Sequence, residues 1–218
     1  MAVVNHDKRE IQFKVVYCGT PRGGKTTNLQ YIHQKLDPHF RGDLVSIATS
    51  QDRTIFFDFL PVNSFEIAGY QTRFQLYTVP GQVVYGQTRD SVLNGADGIV
   101  FVADSSPERQ EINAESLSCC MESLKNIGRD PDEFPIAYQY NKRDLYNAVP
   151  PFEIDEFLKI KSPAFPACAV SGYQVFATLD YVTQIILKDF HHSHVADKMD
   201  EREFSRNSQA QDQIILAG

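Results

Sequence analysis

The octapeptide Gly19-Thr20-Pro21-Arg22-Gly23-Gly24-Lys25-Thr26 constrains this chain more than any other feature. It fits Gly-x4-Gly-Lys-Ser/Thr, and it sits where that pattern acquires meaning. Ile11 to Cys18 before it is a β-rich run, and Lys25 to Leu36 after it carries Leu29, Ile32 and Leu36 at helical spacing. Strand, glycine loop and helix in that order bring successive backbone N–H groups and a helix N-terminus around a phosphate. The expected cradle is Gly19, Thr20, Pro21, Arg22, Gly23, Gly24, Lys25, Thr26 and Thr27. Lys25 should reach the β and γ oxygens and assist phosphoryl transfer, and Thr26 should offer its hydroxyl to Mg²⁺.

The remaining chain continues the alternation of strands and helices. Thr54 to Leu60 and Tyr70 to Thr78, separated by Pro61, Asn63 and Gly69, predict an antiparallel pair. Ile99 to Ala103 is a continuous apolar run of the kind buried on both faces. A helix over Pro107–Asn126, a strand over Ile136–Tyr140, a short helix over Phe152–Ile160, a strand over Phe165–Ala169 and a helix over Val175–Phe190 follow. The polar stretch from Asp37 to Arg53 exceeds an ordinary connection and reads as a functional loop, or as one with a short element inside. The expected class is α/β: a P-loop NTPase fold with a six-stranded, mostly parallel sheet, one antiparallel strand and about five flanking helices. Ligands of such a sheet sit at the carboxyl ends of its strands. At 218 residues the chain suits one domain, taken as 1–190, followed by a polar tail over 191–218 that is disordered or docks elsewhere.

Asn141-Lys142-Arg143-Asp144 follows the predicted fifth strand, beside the place where a base would lie above the phosphate loop. Guanine presents two adjacent donors, its ring N1–H and its exocyclic amine, which the Asp144 carboxylate can accept together; adenine would set an unprotonated ring nitrogen against that charge. The stem of Lys142 can cover the base, and Asn141 can tie the segment to the phosphate loop or to the purine edge. With Asp+Glu 28 against Lys+Arg 21, the net charge of −7 disfavours a nucleic-acid partner. No apolar run is long enough for a membrane span and no secretory leader opens the chain, so a cytoplasmic location is expected. Cys18, Cys119, Cys120 and Cys168 read as free thiols, and His191-His192-Ser193-His194 as a solvated run rather than a metal site.

Thr78-Val79-Pro80-Gly81-Gln82 ends the predicted third strand. With it the chain resembles the Ras-like small GTPases, and most closely the bacterial MglA-type polarity GTPases. The likeness runs from about residue 8 to 190 and includes Gly-Lys-Thr-Thr-Asn-Leu-Gln-Tyr-Ile, Arg-Thr-Ile-Phe-Phe-Asp-Phe-Leu-Pro, Tyr-Thr-Val-Pro-Gly-Gln, Gly-Ile-Val-Phe-Val-Ala-Asp-Ser and Gln-Tyr-Asn-Lys-Arg-Asp-Leu. The resemblance implies a GTP/GDP switch on a G domain. Thr54 would join Thr26 on Mg²⁺ and touch the γ-phosphate, Gly81 would donate its N–H to the same phosphate, Gln82 would orient the attacking water, and Arg53 would supply a catalytic arginine in cis. It also implies a roadblock-fold MglB-type activator, effectors that read the GTP form, and recruitment to a cell pole by partners.

Three departures from the family pattern stand out. Pro21 occupies a position usually held by glycine and removes an N–H, which predicts slow unaided hydrolysis. Thr78 replaces the usual metal-orienting aspartate, and Asp58 in the preceding strand is the residue that could compensate. Cys168-Ala169-Val170 replaces the usual serine-alanine-lysine, leaving the Ala169 N–H as the expected donor to the guanine oxygen. The resulting expectation is a motility or polarity switch whose moving parts are Phe40 to Thr54, Pro80 to Arg89 and the hairpin between them. The alternative is a module that holds guanine nucleotide without turnover.

Overall fold

The computed structural model describes residues 2–49, 55–67, 69–79 and 86–195. Among them, eight strands share one sheet: β1 (Val3–Asn5), β2 (Glu10–Gly19), β3 (Val45–Thr49), β4 (Ile55–Ile67), β5 (Tyr70–Thr78), β6 (Gly98–Asp104), β7 (Ile136–Asn141) and β8 (Ala164–Pro166). The order is β3-β4-β5-β2-β6-β7-β8, with β1 paired to the start of β2. Pairing is parallel from β5 through β2, β6 and β7 to β8, and antiparallel for β1–β2, β3–β4 and β4–β5. Five α-helices accompany the sheet: α1 (Lys25–Lys35), α2 (Gly86–Leu93), α3 (Gln110–Asn126), α4 (Pro151–Leu158) and α5 (Val175–Val195), with short 3₁₀ turns at Pro38–Phe40 and Pro107–Arg109.

The expectation of six strands is corrected to eight. Val45–Thr49 lies inside the long polar stretch and pairs with β4 over Ile55–Phe59. Val3–Asn5 lies where the sequence turns polar too soon to show alternation. β4 continues through Pro61, where the sequence suggests an end. A proline lacks the N–H of a ladder, but β3 ends opposite Phe59, and on that outer side Pro61 contributes only its carbonyl, which accepts from the Gly42 N–H beside the isolated Arg41–Val62 bridge. The last strand is shorter than expected, which leaves Cys168, Ala169 and Val170 in the turn beyond it. α5 runs through the compositional break at His191 to Val195, so the first residues of the supposed tail are helical, and 196–218 lie outside the described residues.

Period-two alternation sorts the strand side chains between two cores. Phe13, Val15 and Tyr17 of β2, Leu76 of β5 and Val100 and Val102 of β6 face Leu29 and Ile32 of α1 and Val175, Leu179, Val182 and Ile186 of α5. Val16 and Cys18 of β2 and Ile99, Phe101 and Ala103 of β6 face Leu93 of α2, Cys120 and Leu124 of α3, and Ile154 and Leu158 of α4. All seven residues of β6 are buried, as the continuous apolar run requires. The register sets Gly19 beyond Tyr17 opposite Val102, and Asp104 opposite Asn141, so the loops after β2, β6 and β7 open on one edge.

Leu29 is fully buried between α1 and the sheet. Leu29→Ala should lower the unfolding free energy by about 3 kcal/mol in a denaturant titration, and Val170→Ala, at a position 80% exposed, should change it by less than about 0.5 kcal/mol.

Candidate functional site

The loop after β2 turns on Gly19 at φ 116° and enters α1 through Gly24 at φ 101°. A side chain at Gly24 would also put its Cβ 2.1 Å from the Asn141 amide nitrogen, so both the turn and the close approach demand glycine. α1 has no side-chain cap at Gly24 and no acidic residue in its first turn, leaving its leading N–H groups and its positive dipole end to an anion. Lys25 is buried under the loop and donates from Nζ to the carbonyls of Gly19 (3.0 Å) and Thr20 (2.8 Å). Burial pushes its ammonium down to about 8, opposed by Cys18 and reinforced by the nearby Arg89. A buried cation next to a second cation and an uncapped helix start is chemistry suited to a phosphate.

On the metal side, Thr26 Oγ1 donates to Asp58 Oδ2 at 2.6 Å. Asp58 is buried on β4 and also accepts from Thr78 Oγ1 (3.0 Å) and Ser46 Oγ (2.8 Å), while its own N–H donates to Thr78 Oγ1 (2.8 Å). A hydroxyl that gives its proton to a carboxylate turns its lone pairs outward, so Thr26 fits a hard cation such as Mg²⁺ with Asp58 orienting it from behind. Among the described residues no cluster of three or more His, Cys, Asp or Glu could hold a metal alone.

On the base side, Asn141 Nδ2 donates to the Gly23 carbonyl (2.7 Å) and Asn141 Oδ1 accepts from the Ala169 N–H (2.8 Å). The expected tie to the phosphate loop therefore exists. The Ala169 N–H, expected to face the guanine oxygen, is engaged by Asn141. Lys142 has a left-handed backbone, φ 67°, and its Nζ lies 2.6 Å from Asp104 Oδ2. Burial alone raises a carboxyl, yet Lys142 and Ser106 together hold Asp104 below the ordinary carboxylate range. The Cys168 thiol donates to Asp144 Oδ1 at 3.2 Å. Val170 projects into solvent.

The structure thus brings together Gly19, Thr20, Gly23, Gly24, Lys25 and Thr26 with Asn141 and Ala169. Pro21, Arg22 and Thr27 belong to the same loop and helix start. Arg53, Thr54, Gly81 and Gln82 lie outside the described residues. Of the two expected switch loops, residues 45–49 are strand β3, and Gly86–Arg89 opens α2. Sequence reasoning missed Asp104, Asn113, Ser106 and Arg89; the one available signal was a polar residue where each buried stripe meets the carboxyl edge.

No protein-family model matches the chain. It is 48% identical over 190 residues to the mutual gliding-motility protein MglA of Myxococcus xanthus (strain DK1622), covering 87% of this chain and 97% of that protein.

Two outcomes follow from the geometry. An anion placed against Lys25 raises its pKa, so guanine-nucleotide affinity should be flat below about pH 7.5. It should then fall as pH rises through about 8, because binding must take up a proton, by up to about tenfold per pH unit. Lys25→Arg should flatten that profile, read by fluorescence titration at each pH. Asp58→Asn should weaken the Mg²⁺ dependence of nucleotide retention by about 10- to 100-fold, measured by titrating the ion against dissociation of labelled GDP.

Proposed function

The chain belongs to the MglA family, and on that footing we propose that it is a GTP-operated switch: it binds GTP and GDP, hydrolyses GTP to GDP and phosphate, and engages partners in the GTP form. The observation that carries the reading is Asn141, whose one carboxamide joins Gly23 of the phosphate loop to Ala169 of the base segment. A triphosphate site and a guanine site joined by one side chain suit a single guanine nucleotide.

In this reading the α1 N-terminus and Lys25 bind the phosphates and stabilise charge on the γ-phosphoryl group and the leaving oxygen. Thr26, with Asp58 behind it, and Thr54 would hold Mg²⁺. The ion, when bound there, would supply positive charge to the phosphate oxygens. Asp144, backed by the Cys168 thiol, accepts both guanine donors, and Lys142 covers the base. Gln82 orients the attacking water, Gly81 senses the γ-phosphate, and Arg53 stabilises the charge that develops as the phosphoryl group transfers. Pro21 withholds one N–H from the phosphate and makes unaided turnover slow. It also favours the second reading, a module that holds guanine nucleotide with negligible hydrolysis.

The relative's printed name speaks of gliding motility, and we extend a motility or polarity role to this chain. Its partners in this proposal are a roadblock-fold MglB-type activator that aligns Arg53 and Gln82, and effectors that recognise the GTP form. Its location is cytoplasmic, with partner-driven recruitment to a cell pole.

Single-turnover conversion of bound GTP to GDP with Mg²⁺ separates the readings. The expected result is slow turnover alone, acceleration by a roadblock-fold partner, and loss of that acceleration by about 10³-fold or more in Arg53→Ala and Gln82→Leu. Tight binding with no turnover, with or without the partner, would establish the holding module instead.

A further inference from the structure

Behind the nucleotide contacts, Thr20, Asn113, Asp104, Ser106 and Lys142 form one connected chain, and the roles above leave Asn113, Asp104 and Ser106 unused. Asn113 opens the inward stripe of α3 and is fully buried. Its Oδ1 accepts from Thr20 Oγ1 (2.5 Å) and from the Asp104 N–H (2.9 Å), and its Nδ2 donates to the Asp104 carbonyl (2.8 Å). Asp104, also fully buried, takes the Ser106 N–H and Oγ on Oδ1 (3.0 and 2.6 Å) and Lys142 Nζ on Oδ2 (2.6 Å). The path runs from the second residue of the phosphate loop, through a helix, to the lysine placed over the base.

We propose that Asn113 and Asp104 are positioning residues of the nucleotide site, which join Thr20 of the phosphate loop to Lys142 and so hold the two ends of the nucleotide at one spacing. The inference rests on the guanine-nucleotide reading above. Three physical points carry it. Asp104 is the last residue of β6, and its N–H and C=O both go to one carboxamide, so its carboxylate has little freedom. A buried carboxylate is tolerated when a cation and further donors satisfy it, and Lys142 and Ser106 do so here. Lys142 is one-third exposed on a left-handed backbone, so pinning its ammonium to Asp104 fixes the direction of the stem that would cover a base. An apolar residue of equal size at 113 would pack against α3's neighbours equally well but would leave Thr20 and the end of β6 without these partners.

The test is a double-mutant cycle on the release of mant-labelled GDP from the full-length protein with Mg²⁺. Thr20→Val, Asp104→Asn and Lys142→Ala should each accelerate release about tenfold. Thr20→Val/Lys142→Ala and Asp104→Asn/Lys142→Ala should release no more than about twofold faster than Lys142→Ala alone, because the relay acts through that lysine. Thr20→Ser, which keeps the hydroxyl, should restore the wild-type rate. Rates that multiply in the doubles, or a Thr20→Ser as fast as Thr20→Val, would overturn the relay even though the nucleotide still binds. The Thr20 arm decides the matter by itself if Asp104→Asn does not fold. A wild-type protein that retains no mant-GDP would overturn the guanine reading, and this inference with it.

Discussion

A loop that wraps a phosphate has few ladder partners for its polar groups: here the Thr20 N–H reaches the Val102 carbonyl of β6, Lys25 takes the Gly19 and Thr20 carbonyls, and three buried carboxamides hold further groups. Asn113 takes the Thr20 hydroxyl, Asn141 takes the Gly23 carbonyl, and Asn28 takes the Gly24 carbonyl. Each reaches the loop from a different element, α3, β7 and α1, so the loop is fixed by the packing of the whole domain rather than by its own sequence. Asn28 is in turn locked to Gln139 of β7 by a reciprocal amide pair, and Gln139 donates to Thr178 of α5. The choice of amide over carboxylate matters electrically. A carboxylate in any of these positions would stand between the phosphates and the field of Lys25 and the α1 dipole, whereas a neutral amide supplies donor and acceptor without spending that field.

The same economy accounts for where the acidic groups do appear. Asp104 lies at the base end, neutralised by Lys142, and Asp58 lies behind Thr26 at the metal end. In a chain with a net charge of −7 the phosphate cradle itself stays free of carboxylates in its first helical turn. Electrostatic preorganisation of this kind costs stability elsewhere, because Lys25 is buried near Arg89 with the Gly19 and Thr20 carbonyls as its hydrogen-bond partners among the described residues.

Much of this was legible in the sequence, and the failures have physical causes. The phosphate loop and the Asn141–Asp144 segment could be read because their chemistry needs fixed residue types at fixed spacing. β6 could be read because burial on both faces leaves it apolar from Gly98 to Ala103. β3 was hidden because a five-residue edge strand inside a polar stretch shows neither a long apolar run nor clear alternation, and β1 because three residues cannot show a period. Asn113 and Asp104 were hidden for another reason: their function is to bond residues far away in the chain, and spacing in sequence carries no trace of that. The weak clue was an asparagine, Asn113, at the inward position of α3 nearest the nucleotide edge, on a stripe that continues through Ser116, Cys120, Ser123 and Leu124.

Thr78 looked in the sequence like a loss, and the geometry gives it a partner. Its hydroxyl accepts from the Asp58 N–H and donates to the Asp58 carboxylate, so the threonine supports an acid on the next strand outward. An aspartate at 78 would instead crowd two carboxylates and lose the donor that satisfies one of them. The pairing has a mechanical consequence. The acid behind Thr26 belongs to β4, and its other oxygen is held by Ser46 of β3 at the edge of the sheet. A shift of β4 along β5 by one residue would turn Asp58 to the opposite face and break its bonds to Thr26 and Thr78 together. Placement of the edge strands and support of the Thr26 hydroxyl are therefore a single variable in this fold, where an acid on β5 would keep them separate.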